Sequence, residues 1–178
     1  MLAPWGWARP RSLRDVGSSL RLRPRRGRCL ACGGTHVLLL VDALVRRADT
    51  VAAIGSALLD KAAGLGHRVI AVRLGRPAST VRGWCRRFGS RAAVVCSAFT
   101  ALAATLVVDA VLPTPAAGGL FADAVAAVGA AAAAVARRFG VVMVSGWRLA
   151  AAVSVGRLLA PGWATESINT SWPWAALL

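Results

Sequence analysis

The 178-residue sequence predicts a mainly α protein: a three-helix, homeodomain-like helix-turn-helix domain, preceded by a partial zinc-ribbon-like β knuckle and followed by an Ala-rich α-helical region. Three observations predict it. Between His67 and Phe88, small, apolar and glycine positions fall at the offsets that a tight turn between two crossing helices requires. Cys29 and Cys32 are spaced as one thiol pair of a zinc knuckle and are followed by Gly33 and Gly34. Beyond Arg91 the chain turns rich in Ala and Val, with few charges and long uninterrupted apolar stretches. The expected division is a basic arm and knuckle at 1–45, the helix-turn-helix domain at 46–91, an Ala-rich domain at 92–160 and a tail at 161–178.

Residues 1–19 contain Pro4, Pro10, Trp5, Trp7 and scattered Arg without helical or strand period, which reads as an irregular basic arm. Residues 20–28 alternate Leu20 and Leu22 with Arg21 and Arg23, the period of a half-buried strand. Residues 29–36 form a turn, and Val37 to Val45 is a short apolar strand or connector. A first helix is expected from about Thr50 to Ala63, capped by Asp49 or Thr50, with Val51, Ile54, Leu58 and Leu59 on one face. Gly64 and Gly66 end it. A second helix spans His67 to Leu74, Gly75-Arg76-Pro77 forms the turn, and Ser79 caps a third running to Phe88. Further helices are expected at Arg91–Leu112, Leu120–Phe139 and Trp147–Leu159. They are separated by a break at Pro113–Pro115 and a strand-like or turn segment at Val141–Ser145.

Charge is distributed unevenly along this plan. Residues 1–91 carry 18 Lys+Arg against 4 acids, whereas residues 92–178 carry 4 against 3. The excess of positive charge in the first half suits a polyanionic partner such as DNA or an acidic membrane surface. Lys61 is the sole lysine, Asn169 the sole asparagine, and Tyr is absent, a skew that points to a GC-rich bacterial genome. The opening MLAPWGWARPRS has no apolar run after its first charges, unlike a signal peptide. A cytoplasmic, nucleoid-associated location is therefore expected, with cysteines reduced or metal-bound.

In the helix-turn-helix, Gly75 supplies positive φ at the turn and Ala71 supplies the small side chain where the helices touch. Ile70, Leu74, Val81, Trp84 and Phe88 point inward. The third helix then presents Thr80, Arg82, Gly83, Arg86 and Arg87 outward. Arg82 and Arg86, four apart, could reach one strip of major groove and pair with the acceptor edge of guanine. Arg68, Arg73, Arg76, Ser79 and Thr80 suit phosphate contacts, which position a protein without specifying sequence. The alternative is a structural three-helix unit whose basic face is merely solvated.

For the knuckle, two thiolates one turn apart grip one side of a tetrahedral zinc ion, so Cys29 and Cys32 are the expected ligands, with His36 a possible third. Cys85 and Cys96 fall on expected helices as core thiols. Through R-x-R-C-L-A-C-G-G-T-H and V-I-A-V-R-L-G-R-P-A-S-T-V-R-G-W, residues 20–91 resemble a bacterial family of uncharacterised function. That family is related to the front ends of insertion-sequence transposases, which join a four-cysteine zinc ribbon to a helix-turn-helix. The resemblance extends loosely to the Ala-rich half and the tail E-S-I-N-T-S-W-P-W. Members usually carry an earlier Cys-x-x-Cys, which here would precede Met1, so a truncated start or a decayed ribbon is expected. The resemblance implies a recognition subunit or transcriptional regulator working on double-stranded DNA, as a homodimer or with a separate recombinase.

No enzyme is expected. A transposase core needs three carboxylates converging on two metal ions. Of the seven acids, four lie in the basic half, and nothing around Asp109, Asp123 and Glu166 suggests a β-rich catalytic fold. His36 and His67 lack a nucleophile partner, and no Gly-rich phosphate loop opens a helix. The rival class is a small membrane-associated helical protein with a basic cytosolic domain, because Ala92 to Val108 is 17 residues without a charge. That stretch is short for a span, Asp109 closes it, and its Ala, Ser and Thr bury little apolar area. Residues 120–139 carry Asp123 and are mostly alanine, which favours helix formation over lipid insertion.

Overall fold

The computed structural model describes residues 1–107, 118–141 and 144–160. Residues 108–112 of the first expected Ala-rich helix, the Pro113–Pro115 break, part of Val141–Ser145 and the tail lie outside them. Among the described residues there are five strands: β1 Leu2–Trp7, β2 Arg11–Arg14, β3 Ser19–Leu22, β4 Arg25–Cys29 and β5 Thr35–Leu38. Six helices follow: α1 Val51–Ala62, α2 His67–Leu74, α3 Ala78–Gly89, α4 Ala92–Leu106, α5 Gly119–Phe139 and α6 Gly146–Val153. The architecture is mixed α/β: helices predominate, as expected of a mainly α chain, and two small antiparallel sheets precede them.

The expected irregular arm is instead built of strands. β1 pairs antiparallel with β4, Leu2 opposite Cys29 and Trp7 opposite Arg25, and β4 pairs with β5, giving a three-stranded sheet in the order β1-β4-β5. The pairing partner lies some twenty residues downstream, so no local period announces it. Pro4 is tolerated because β1 is an edge strand, and the register shifts between Pro4 and Trp7, where Gly6 takes φ 76°. The expected single strand over 20–28 breaks at Arg23-Pro24, so that β3 pairs with β2 and β4 joins the other sheet. The β2–β3 hairpin turns through Asp15–Ser18, with Gly17 at φ 69°. It contributes Leu13 and Leu22 to a small core with Ala43.

The helices share one larger core running from Leu44 to Leu159. The expected boundary at residue 91 does not divide it. Phe88 of α3 is fully buried and packs edge-on to Phe121 of α5, with ring centroids 4.9 Å apart, and to Trp147 of α6 at 6.3 Å. These apolar side chains of the Ala-rich half must cover the inner face of α3, because three short helices alone leave that face wet. Gly55 on α1 lets the Trp147 indole lie against the helix backbone: a Cβ there would come within 2.2 Å of the ring. α6 ends at Val153, short of the expected Leu159. Gly156, at φ 72°, reverses the chain and buries Leu158 and Leu159 in a turn.

Candidate nucleic-acid interface

α1 begins where Thr50 caps it: its hydroxyl accepts from the Ala53 N–H at 3.1 Å and donates to Asp15 Oδ1 at 2.9 Å, tying the helix start to the β2–β3 hairpin. α2 ends in a Schellman arrangement: the Gly75 N–H donates to Val72 O and the Arg76 N–H to Ala71 O, with Gly75 left-handed at φ 60° and ψ 42°. The turn glycine is therefore at the position its offset demanded. α3 starts after Pro77, without a side-chain cap. Ser79 lies inside the first turn, so its expected capping role is corrected: proline, fixed at helix-compatible φ, precedes the helix in its place.

α3 buries Val81, Trp84 and Phe88 and turns Ser79, Arg82 and Arg86 outward, with Thr80, Gly83 and Arg87 half-buried. Arg68 on α2 is also exposed. Among the described residues, Arg68, Arg82, Arg86 and Arg87 form no ion pair with an acid, whereas Arg73 pairs with Asp60 at 3.0 Å. Like charges at Arg82 and Arg86, one helical turn apart, cost α3 a few tenths of a kcal/mol in the free protein. Arg87 folds back along α3, its Nη1 2.8 Å from where a Gly83 Cβ would stand. Beyond it, Arg47 sits close to Arg87 and Arg91. Desolvation first, and then these two cations, lower the Arg47 guanidinium below its ordinary value. This positive cluster at the C-terminal end of α3 was missed from sequence, because Arg47 lies some forty residues away in the chain.

Arg76 must be reassigned. The sequence placed it on phosphate, but its Nε donates to Asp49 Oδ1 at 2.6 Å, its Nη2 to Asp15 O at 2.8 Å and its Nη1 to Leu74 O at 3.0 Å. Its side chain is 11% exposed and that of Asp49 3%. The same carboxylate accepts from Arg14 Nη2 of β2 at 2.8 Å. Arg76 is thus a bolt between the α2–α3 turn and the hairpin. Its donors are already used, which leaves little to offer a phosphate.

The knuckle is a turn in which the Cys29 N–H donates to Gly34 O and the Gly33 N–H to Cys29 O, with Gly33 at φ 69°. Hydrogen bonding from the Cys32 backbone N–H, then from that of Ala31, then from the Cys32 thiol, lowers the Cys29 thiol below its ordinary value. Gly34 lies beside both Cys32 Sγ and His36 Nε2, as a Cβ there would be 3.4 and 3.8 Å from them. Among the described residues no three His, Cys, Asp or Glu side chains gather closely enough to hold an ion. The donors brought together are the two thiols, short of the set that a structural zinc site uses.

Beside this knuckle, tryptophans and arginines stack on the three-stranded sheet: Arg28 over Trp5 and Arg25 over Trp7, each 4.8 Å from the ring centroid, with Arg23 at 5.8 Å from Trp7. The alternation of Trp5 and Trp7 opposite an Arg-rich run was the available signal. Pro4 and Pro10 interrupt that alternation and hide the strand in the sequence. No family model, no characterised protein and no solved structure matches this chain.

Proposed function

We propose that the chain binds double-stranded DNA through a helix-turn-helix formed by α2 and α3. Its role would be that of a recognition subunit associated with a transposase, or of a transcriptional regulator, and not that of an enzyme. The observation that carries this reading is α3 itself: an inner face of Val81, Trp84 and Phe88 and an outer face where Arg82 and Arg86 stand without acidic partners. Guanidiniums one turn apart suit the O6 and N7 acceptors of guanine in the major groove. Arg68, Arg87 and the Ser79 and Thr80 hydroxyls would hold phosphates on either side. Zinc remains a proposal confined to the Cys29–Cys32 pair, and no part of the DNA reading depends on it.

Two observations favour the membrane alternative: α5, at 21 residues and mean hydropathy 1.8, is long and apolar enough to cross a bilayer, and α3 with α4 pass the same test only as a pair bent by 62°. The same helix buries Ala124, Val125, Ala127, Val128, Ala131, Ala132 and Ala134 along one side, 39% of its apolar window, which is the pattern of a helix packed by one face on a core. DNA binding is therefore the reading adopted.

Selection from random duplexes with the full chain, followed by binding to the selected site, tests it. Arg82→Ala should cost about 1–3 kcal/mol on that site and relax preference at one position. Absence of salt-sensitive duplex binding by the folded chain would overturn the proposal. Equal weakening on every sequence would overturn the orientation of α3.

A further inference from the structure

The first 29 residues hold eight arginines and one acid, Asp15. Their strands β1 and β4, with β5, form a sheet that the rest of the protein does not cover. Of the residues in β1, β4 and β5, Gly27 alone is buried, and Trp5 and Trp7 are 50% and 49% exposed. A small sheet solvated on both faces has little to gain from leaving two indoles in water.

The arginines on those indoles are ordered in a useful way. Arg25 pairs across the ladder with Trp7 and stacks on it, and Arg23 approaches the same ring. Stacking fixes the guanidinium plane while leaving its N–H edge free, so less entropy is lost when that edge forks onto a phosphate. Next to the pair runs a shallow groove lined by Leu2, Pro4, Trp7, Arg25, Gly27 and Leu38. Arg28 and Trp5 occupy the opposite face, since β4 alternates.

The sheet is held near α3. The β2–β3 hairpin is bolted to the α2–α3 turn through Asp49, Arg14 and Arg76, and the hairpin joins the sheet through two short connections, residues 8–10 and 23–24. The sheet is thereby tethered to the end of the protein at which α3 begins.

We propose that the Trp7 face of the β1-β4-β5 sheet, with Arg23 and Arg25 stacked on one indole, is a second docking site for the phosphate backbone of the duplex that α3 reads. This rests on the DNA reading above. The occupant is committed by charge complementarity: the two guanidiniums have no acid partner among the described residues. The site would add affinity and length of footprint without adding base preference.

The test compares the full chain with R23A/R25A, R23K/R25K and R28A, on the selected duplex and on an equally long single strand, at several salt concentrations. R23A/R25A should flatten the dependence of log affinity on log salt by about two ions. That makes the loss of affinity between 50 and 200 mM salt roughly tenfold smaller, with the base preference unchanged. R23K/R25K should keep the slope, which separates loss of charge from loss of fold, and R28A on the opposite face should leave it near that of the wild type. A wild-type slope in R23A/R25A overturns the second site while leaving α3 as the reader. A defect in R23A/R25A confined to the single strand overturns it in favour of a platform for unpaired bases. A wild-type chain that binds no duplex removes both readings.

Discussion

Asp49→Ala should be the most damaging single change at the joint between the hairpin and the helices. Asp49 accepts from Arg76 at 2.6 Å and from Arg14 at 2.8 Å, but the two pairs are unequal. Arg14 is 51% exposed, so its half of the interaction is screened by water and contributes about 0–1 kcal/mol. Arg76 is 11% exposed and further held by the carbonyls of Asp15, Leu74 and Gly75. Removing the carboxylate leaves that guanidinium in a site it cannot easily leave, a situation that costs about 3–5 kcal/mol. Arg14→Ala, by contrast, should cost no more than about 1 kcal/mol. Guanidinium chloride unfolding followed by circular dichroism measures both. For a chain of this length the larger loss corresponds to a melting temperature lower by roughly 6–20 °C. If Asp49→Ala cost no more than Arg14→Ala, the guanidinium of Arg76 would be escaping to water, and its removal from the phosphate-binding set would lose its basis.

Two further predictions use contrasts built into the chain. Gly55→Ala and Gly129→Ala are the same exchange in helix interiors, and each gains about 1 kcal/mol of helix propensity. At Gly129 nothing lies within 4 Å of the new methyl, so stability should rise, whereas at Gly55 the Trp147 indole stands 2.2 Å away and overpacking of about 1–3 kcal/mol should dominate. Shifts of the same sign in thermal melts of the two variants would contradict this packing. Cys29 should alkylate ahead of Cys85 near neutral pH. Backbone N–H groups favour the Cys29 thiolate, while burial pushes the Cys85 thiol up. Raising the pH should narrow the difference as the Cys85 thiolate forms, and mass mapping that found Cys85 first at neutral pH would refute the assignment.

What could be read from the sequence was local. Thr50 as a cap, Gly75 at the turn and the inward set Val81, Trp84 and Phe88 all follow from spacing within one or two helical turns, and each stands where its spacing put it. What could not be read depends on partners distant in the chain. β1 becomes a strand only because residues 25–29 pair with it, and Arg76 is withdrawn from solvent only because Asp49 and Asp15 meet it. That the apolar core runs across residue 91 could not be read for the same reason. A change in composition looks like a border, yet Phe88 is covered by Phe121 and Trp147 from beyond it. Charge asymmetry named a basic half, but which arginines are free required the four acids there to be located first.

The three-stranded sheet has a bearing on how the protein behaves in solution. β1 and β5 are its edges, no further strand among the described residues pairs with either, and Leu2, Val37 and Leu38 are exposed along them. Open apolar edges invite strand-to-strand stacking between molecules. Arg25, Arg26 and Arg28 on the central strand oppose it by mutual repulsion between copies. That protection has the range of the Debye length, about 10 Å at 0.1 M salt and 3 Å at 1 M. The high salt that strips nucleic acid from a basic protein would thus also disarm the charges that keep its molecules apart, and aggregation in a concentrated-salt wash would reflect unshielded edges rather than a chain that has unfolded.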